Sequence, residues 1–375
     1  MTALLFDVVI AGAGPAGATA ALCLARAGAA VALVDPFAER GIRVGESLAP
    51  AIREPLGLLG LWDRFAAAGH RPAYAIRSAW GSAEPQDQDH IFNPHGNGWH
   101  VDRRAFDRML VEAAEEAGAH PIAGTVGSMS RTDGEWTLWA GGFELRARHV
   151  VDATGRPARI ARRLGGRRIA LDRLVGAVIS IPRERTTAAA EGTTLVEACP
   201  DGWWYSARTP DDRLLLAYMT DADLWLRAAR RRATLAAALE HAPLTRARLH
   251  FIPETPPRVV AAGSAYLRPA AGAGWLAAGD AAMAVDPLSG SGVLLALRSG
   301  IRVAAAIERE WESDGSAIRD YNAETAHAFA TYATARRWFY AQEQRFPNSE
   351  FWKRREKPRE ASGGPARPAA LVGLA

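Results

Sequence analysis

The stretch FDVVIAGAGPAGATAALCLARAGAAVALVD, which runs from Phe6 to Asp35, decides the predicted fold. Val8–Ala11 is an apolar run of the kind that forms a buried parallel strand. Ala18–Ala27 is rich in helix-forming residues, and Ala30–Val34 is a second apolar run that ends at Asp35. The order strand, glycine turn, helix, strand is typical of a Rossmann-like α/β unit.

The turn between the first strand and the helix has the pattern GxGxxG, formed by Gly12, Ala13, Gly14, Pro15, Ala16 and Gly17. Gly12 permits the tight turn, Gly14 lets the backbone approach a pyrophosphate, and Gly17 allows close contact between helix and strand. The pyrophosphate would lie on unpaired N–H groups at the positive end of the helix. Asp35 would accept hydrogen bonds from the adenosine ribose hydroxyls and would repel a 2′-phosphate, which disfavours NADP.

A second glycine-rich turn lies near the other end of the chain, in the sequence GDAAMAVDPLSGSG at 279–292. The first motif alone fits NAD and FAD equally, but a second glycine-rich helix start suits the longer ligand, FAD. Asp280 would bind ribityl hydroxyls or reach the pyrophosphate through water. N–H groups near Gly290 would face the N1–C2=O edge of the flavin. The candidate contacts of this turn are Gly279, Asp280, Pro287, Gly290, Gly292 and Val293.

The rest of the chain predicts a discontinuous FAD-binding domain with an inserted antiparallel sheet. VDRRAFDRMLVEAAEEAGA at 101–119 has helical spacing, and Gly141-Gly142 between two extended runs predicts a hairpin. HVVDATG reads as a further short strand. We also expect four antiparallel strands between about 177 and 220, helices over 221–250 and a long helix over 316–345. The predicted domains are FAD-binding (1–75, 97–165, 262–312), substrate (76–96, 166–261), a C-terminal helical segment (313–356) and a disordered tail (357–375).

The composition excludes several classes of protein. Hydrophobic residues make up 49% of the 375 residues, as in an ordinary globular protein. Two cysteines, Cys23 and Cys199, are too few for a disulfide framework or a cysteine zinc site, and no metal is expected. Arginine is scattered without a clustered basic stripe, so we expect no nucleic-acid partner. Without a signal peptide or a long apolar run, the sequence predicts a cytoplasmic protein that does not enter membranes.

The chain resembles class A flavin monooxygenases of the para-hydroxybenzoate hydroxylase superfamily, and within it the tryptophan-halogenase-like branch. The matching segments are GAGPAG at 12–17, RVGESLAP at 43–50, RxxFD at 103–107, DATG at 152–155 and GDAAMAVDPLSGSG at 279–292. The resemblance implies an FAD-binding domain of the glutathione-reductase type. It places Arg43 and Ser47 near the pyrophosphate and flavin, Arg103 at the ribityl–phosphate region and the Val126 backbone at the adenine.

Two further stretches narrow the resemblance. DGWWYSARTPDDRLLLAYMTDADL at 201–224 and EQRFPNSEFWKRR at 343–355 are similar to flavoproteins that mature tryptophylquinone-dependent oxidases and amine dehydrogenases. Those proteins hydroxylate a tryptophan within a partner protein. The likeness implies an FAD-dependent monooxygenase that acts through a flavin C4a-hydroperoxide on an electron-rich ring, foremost a peptide- or protein-borne indole. The alternatives are a geranylgeranyl-reductase-like enzyme without oxygen transfer, an oxygenase of small natural products and a non-enzymatic nucleotide-binding scaffold.

Two departures from the family pattern bear on the reaction. Flavin halogenases use a lysine that would fall in or near Ile76–Trp80, but the chain has lysine only at Lys353 and Lys357. Arginine holds its proton too tightly to replace it, so halogenation is not expected. DATG stands where NADPH-binding hydroxylases carry a DGxxS-type motif. Electrons are therefore expected from a separate flavin reductase or, alternatively, from transiently bound NADH.

The candidate substrate residues are Glu46, Trp80, Trp203, Trp204 and Tyr205. The aromatic members would form a stacking wall for an aromatic substrate, although ordinary sheet core explains them equally well. Glu46 and Asp286 are the acids nearest the expected flavin ends, and either would orient a ring N–H or serve a structural role such as helix capping. An indole is nucleophilic enough to need no strong base, so the sequence assigns no catalytic residue.

Overall fold

The computed structural model of the protein describes residues 3–37, 45–190, 193–230, 235–252, 255–312 and 315–356. Its strands are β1 (Leu4–Ala11), β2 (Val31–Asp35), β3 (Ser47–Leu48), β4 (Arg71–Ala73), β5 (Ala75–Ala79), β6 (Gln86–Asp89), β7 (Gly98–His100), β8 (His120–Ala123), β9 (Met129–Thr132), β10 (Glu135–Ala140), β11 (Phe143–Asp152), β12 (Arg167–Ala170), β13 (Leu174–Ile181), β14 (Thr193–Cys199), β15 (Gly202–Arg208), β16 (Leu214–Asp221), β17 (Arg258–Ala261), β18 (Ala265–Arg268), β19 (Ala271–Gly272), β20 (Trp275–Ala277) and β21 (Met283–Ala284). Its helices are α1 (Pro15–Arg26), α2 (Arg53–Leu58), α3 (Trp62–Ala66), α4 (Arg103–Glu116), α5 (Arg159–Arg163), α6 (Ala222–Arg230), α7 (Leu235–Leu239), α8 (Pro243–Ala247), α9 (Gly292–Glu312), α10 (Ser316–Ala341) and α11 (Glu350–Lys353).

A mostly parallel sheet carries the first glycine turn. Its order is β19-β20-β11-β1-β2-β8, and β9 and β10 extend it from the side of β11. β1 pairs in parallel with both β2 and β11, and its Val8–Ala11 segment is buried. Helices α1, α4 and α9 contribute to the apolar core around this sheet. These elements confirm the predicted Rossmann-like α/β fold.

The predicted hairpin is present, but its second strand is longer than expected. β10 and β11 pair in antiparallel fashion up to Ala140 and Phe143, and Gly141 and Gly142 between them have φ of 59° and 85°. HVVDATG does not begin a separate strand, which corrects that prediction. The strand runs unbroken from Phe143 to Asp152 because β1 pairs with it from Leu145 to Asp152. On its other edge β20 takes the place of β10 after the hairpin ends.

The predicted antiparallel sheet is confirmed, with order β17-β13-β16-β15-β14-β5-β6. β5 joins β14 in parallel, which is the one parallel pair of this sheet within the described ranges. Side chains alternate between its two faces, as the strand period of two requires. One face packs on α7 and α8 through a cluster with Trp204 and Tyr218, and the other carries Trp203, Leu215 and Met219.

The C-terminal part of the described chain is helical, as predicted. The long helix α10 ends at Ala341, a few residues before the expected end. Residues 221–250 contain three short helices, α6 to α8, and residues 231–234 lie outside the described ranges. The predicted tail, 357–375, also lies outside them, and the domain boundaries stay a prediction. Tyr340, Phe351 and Trp352 pack against the sheet face that carries Trp203.

Candidate functional site

The first glycine turn is packed so closely that two of its glycines leave no room for a side chain. Gly12 has φ +106°, and a Cβ there would lie 2.2 Å from the Ala153 carbonyl oxygen. A Cβ on Gly17 would lie 1.9 Å from the Gly12 carbonyl oxygen. A Cβ on Gly14 would meet no atom within 4 Å, so the middle glycine borders open space. This is the space into which a pyrophosphate would fit.

Asp35 fastens the glycine turn to the end of β2. Its buried carboxylate accepts hydrogen bonds from the N–H groups of Ala13, at 3.0 Å, and Phe37, at 2.9 Å. The helix α1 that follows the turn begins at Pro15, and no side chain caps its first N–H groups. Free N–H groups at a helix start favour an anionic ligand.

A cavity of about 300 Å³ lies between this turn and the inner face of the antiparallel sheet. The wall on the side of the parallel sheet includes Gly14, Pro15, Ala16, Gly45, Glu46, Ser47, Arg103, Arg156, Asp280, Pro287, Gly290, Gly292 and Val293. The opposite wall is Tyr205, Leu215, Ala217, Met219 and Val260–Ala262. The structure therefore brings both predicted glycine turns to one cavity.

The second glycine turn begins where β20 ends. Gly279 and Gly290 adopt φ of +57° and +59°, a left-handed conformation that favours glycine. The Asp280 carboxylate pairs with the Arg156 guanidinium at 3.3 Å. Arg156 also donates to the carbonyl oxygens of Gly263 and Val285, at 2.5 and 2.8 Å. Arg156 is not among the residues predicted from the sequence, although its position directly after DATG points to the site.

Asp286 does not offer its carboxylate to the cavity. Its Oδ1 accepts the Leu288 N–H at 2.9 Å. Its Oδ2 accepts the Tyr340 hydroxyl at 2.7 Å and the Arg336 guanidinium at 3.1 Å. Of the two roles considered for Asp286, the structure shows the structural one, since this carboxylate caps the turn and holds α10.

Arg103 and Gly45 form another corner of the cavity. Arg103 is the first residue of α4, after the cap residue Asp102, and its guanidinium pairs with Asp107 at 3.2 Å. It also donates to the Gly45 carbonyl oxygen at 3.4 Å. Gly45 has φ +99°, and a Cβ there would lie 2.6 Å from Arg103 Nη1. Arg43, which was predicted beside this corner, lies outside the described residues.

Ser47 and Tyr205 connect the two walls of the cavity. The Ser47 hydroxyl on β3 and the Tyr205 hydroxyl on β15 share a hydrogen bond of 2.6 Å across 158 positions of sequence. Burial raises the pKa of Tyr205 well above its ordinary value, so the phenol stays neutral. Tyr205 thus presents an uncharged ring to the cavity.

Glu46 lies next to this bridge, with 5% of its surface exposed. Burial raises the pKa of its carboxyl from 4.5 to about 7, although nearby Arg103 acts in the opposite direction. Within the described residues, its Oε2 is buried without a hydrogen-bond partner.

The three predicted tryptophans do not line the cavity. Trp204 is fully buried on the far face of the sheet, with its ring 4.9 Å from that of Tyr218. Trp203 shares the face of Tyr205 but is covered by Trp80 and Tyr340. Of the predicted aromatic wall, only Tyr205 lines the cavity. Strand alternation places Trp204 on the opposite face of the sheet from Tyr205, and Tyr340 of the C-terminal segment covers Trp203.

Val126 lies away from the cavity walls, in the connection between β8 and β9, where it packs on the core of the parallel sheet. Two further features are absent from the described part of the chain. No three His, Cys, Asp or Glu side chains there are grouped as a metal site requires. No described helix is both long and apolar enough to cross a membrane.

Comparisons with known proteins agree with this geometry. Residues 7–165 match the family of FAD dependent oxidoreductases. LodB of Marinomonas mediterranea, assigned as an FAD-dependent oxidoreductase, is 27% identical over 369 residues, which cover 93% of this chain and 96% of LodB. The myxobacterial chondrochloren halogenase CndH, an FAD-dependent halogenase, aligns with a TM-score of 0.83 at 24% identity, over 94% of this chain and 86% of CndH, and shows the fold. QhpG, a peptidyl tryptophan dihydroxylase essential for tryptophylquinone cofactor biogenesis, aligns with a TM-score of 0.72 at 28% identity, over 96% of this chain and 80% of QhpG.

Proposed function

The chain is an FAD-dependent oxidoreductase with the fold of the flavin-dependent halogenases, and from this premise we propose that it hydroxylates the indole of a tryptophan carried by a peptide or protein. The single observation that carries the proposal is the cavity, in which the second glycine turn and an aliphatic sheet face form opposite walls. An aromatic ring held between them would lie directly beside the flavin.

The residues present fit FAD at both glycine turns. Gly14 leaves open space at the start of α1, where a Cβ would otherwise project. The guanidinium groups of Arg103 and Arg156 lie on the same side of the cavity, and each is paired there with a carboxylate, that of Asp107 or Asp280. When bound, FAD supplies the activation of O₂ and the two electrons that the reaction consumes. In the balanced reaction, one ring C–H, one O₂, two electrons and two protons are converted to one ring C–OH and one water.

The sheet wall supports an apolar, flat substrate. Leu215, Ala217 and Met219 occupy every second position of β16 and line the cavity, and Ala217 has the smallest side chain of the three. Burying roughly 150 Å² of indole surface would contribute about 4 kcal/mol at about 25 cal/mol per Å². These side chains would also exclude water, which protects a reactive oxidant from decay.

The likeness to QhpG supports a tryptophan within a polypeptide as the substrate. Halogenation is the competing reaction, because CndH, with the same fold, is a halogenase. No lysine lines the cavity in the described structure, and the sequence has lysine only at positions 353 and 357. We further propose a separate flavin reductase as the electron source.

The test uses the FAD-loaded protein, a flavin reductase with NADH, and oxygen-18-labelled O₂. The probes are free tryptophan and tryptophan-containing polypeptides encoded by genes that neighbour this one. We expect oxygen-18 in the indole of a polypeptide and none in free tryptophan. Oxidation of substrate without label would support a reductase or dehydrogenase, and a brominated product in the presence of bromide would overturn hydroxylation in favour of halogenation.

A further inference from the structure

Glu46 is an acid of the cavity wall with one carboxylate oxygen left for a ligand. The backbone N–H groups of Gly45 and Glu46 also act on this carboxylate. Its backbone is fixed, because its carbonyl oxygen accepts the Val101 N–H at 2.7 Å and the next residue, Ser47, pairs with His100 in a small sheet. The side chain is buried, and Oε2 has no hydrogen-bond partner among the described residues. A buried polar atom without a partner is costly, which suggests that a ligand completes it.

Other acid–base groups near the cavity are already committed. Asp280, the second acid that lines the cavity, pairs with Arg156 at 3.3 Å. Asp286 accepts three hydrogen bonds from protein groups. His100 is buried, and its Nε2 shares a hydrogen bond with the Thr194 hydroxyl at 2.8 Å, away from the cavity walls.

The groups that face Glu46 come from three parts of the fold. Arg103 on α4 favours the carboxylate, and Asp211 in the turn after β15 disfavours it. The neutral Tyr205 on β15 is close enough for the charge of Glu46 to raise the pKa of its phenol. Burial is the largest influence and raises the pKa of Glu46 to about 7, although Arg103 and the backbone N–H groups of Gly45 and Glu46 lower it. A carboxyl with such a pKa can both accept and release a proton near neutral pH.

We propose that Glu46 is a catalytic residue that accepts the proton released by the substrate ring when it is hydroxylated. This inference rests on the proposed function. As the ring carbon forms its bond to one oxygen atom of O₂, the electron pair of the C–H bond stays in the ring and the proton passes to Oε2. The two electrons come from the reduced flavin, the second oxygen atom leaves as water, and the protonated Glu46 then returns its proton to water. An indole needs no base to attack the oxidant, but its ring regains aromaticity only when this proton leaves.

The experiment compares the FAD-loaded native protein with Glu46→Gln, Glu46→Asp and the control Glu54→Gln. Glu54 is a surface residue on α2 that pairs with Arg298 outside the cavity. The substrate is the polypeptide that the native protein hydroxylates, prepared with and without deuterium at the reacting ring carbon. Product formation, oxygen consumption and flavin affinity are measured between pH 5.5 and about 9, a range that spans the pKa of Glu46.

We expect the native rate to rise with pH through about 7, as the carboxylate forms. The hydroxylation rate of Glu46→Gln should be about 10²- to 10⁴-fold lower, and it should no longer rise with pH through about 7. Its flavin affinity and oxygen consumption should equal those of the native protein. A larger deuterium isotope effect in Glu46→Gln would show that proton removal has become slow. Glu46→Asp should keep the pH limb, and Glu54→Gln should behave as native.

Two results separate this inference from the proposed function. Native-like rate, pH profile and isotope effect in Glu46→Gln would overturn the role of Glu46 and leave hydroxylation standing. A native protein that places no labelled oxygen in any indole would overturn the function itself.

Infrared difference spectra of the unloaded protein add a readout that needs no turnover. A carboxyl that titrates near pH 7 in native protein and is missing from Glu46→Gln supports the inference, and its presence in both contradicts it.

Discussion

Replacing Glu46 with glutamine should stabilise the unloaded protein, and the gain should depend on pH. The carboxyl has a pKa of about 7 in the folded protein because it is buried, against an ordinary 4.5 that it would have in the unfolded chain. The folded protein therefore binds more protons than the unfolded chain between these two pH values. Stability falls as pH rises through this window, since the folded protein must then hold a buried charge.

The pKa difference sets the size of the effect. Each pKa unit corresponds to about 1.4 kcal/mol, so the ionised Glu46 should cost about 3 kcal/mol of folding free energy above pH 7. Glutamine has nearly the same shape and does not titrate. The free energy of unfolding of Glu46→Gln minus that of native protein should thus be close to zero at about pH 4.5 and should approach about 3 kcal/mol at about pH 8.

Urea unfolding of both proteins without flavin, followed by tryptophan fluorescence at several pH values, measures this difference. All groups common to the two proteins cancel in the comparison at each pH. Glu54→Gln should show a nearly constant difference within about 1 kcal/mol, because its partner Arg298 lies at the surface. A Glu46→Gln effect that does not change with pH would refute the reasoning, since the carboxyl would then have the same pKa in both states.

The remaining predictions concern the glycine turn and the cavity walls. Gly14→Ala should leave stability intact, because its Cβ meets nothing within 4 Å, yet raise the FAD dissociation constant about tenfold or more in a fluorescence titration. Gly17→Ala should lower the free energy of unfolding by about 3 kcal/mol, because its Cβ would lie 1.9 Å from a backbone oxygen, and equal stability of the two variants would contradict this packing. Tyr205→Phe, which removes the bond to Ser47, should cost about 1 kcal/mol in urea unfolding, and no cost would mean that water replaces the hydroxyl equally well. Ala217→Leu should raise the KM for the polypeptide about tenfold at unchanged FAD affinity, whereas an unchanged KM would place the substrate elsewhere.

The parts of the fold that could be predicted are those determined by the backbone preferences and hydrophobic pattern of residues close together in sequence. Gly12 requires a left-handed turn, and the apolar run Val8–Ala11 requires burial on both faces, so the first strand, turn and helix could be found without knowing the rest. The hairpin at Gly141 and Gly142 is local in the same sense. The continuous β11 is not predicted because the strands that flank its second half, β1 and β20, are each more than a hundred residues away in sequence.

The contacts that the sequence did not predict are long-range side-chain pairs. Ser47 and Tyr205 had been assigned separately to cofactor and substrate, and only the folded chain shows that their hydroxyls meet. From the sequence, Asp286 could orient a ring N–H. In the structure its carboxylate accepts hydrogen bonds from Arg336 and Tyr340 of α10, which lie 50 and 54 positions after it in sequence. No local pattern encodes either pairing, because each depends on how two distant elements pack.

Strand alternation has a further consequence for how a ring would be recognised. Trp204 points to the far face of the sheet and Trp203 is covered by Trp80, so stacking on a tryptophan wall is not available to a substrate in this cavity. The cavity wall that a substrate would meet is mostly aliphatic. Its exceptions beside the sheet are the neutral ring of Tyr205 and the buried carboxyl of Glu46. Aliphatic contacts select by shape and would accept many flat rings. A buried carboxyl would discriminate strongly between a ring that carries an N–H or O–H hydrogen-bond donor and one that carries none. Discrimination among aromatic side chains should therefore depend on Glu46 more than on any tryptophan of the sheet.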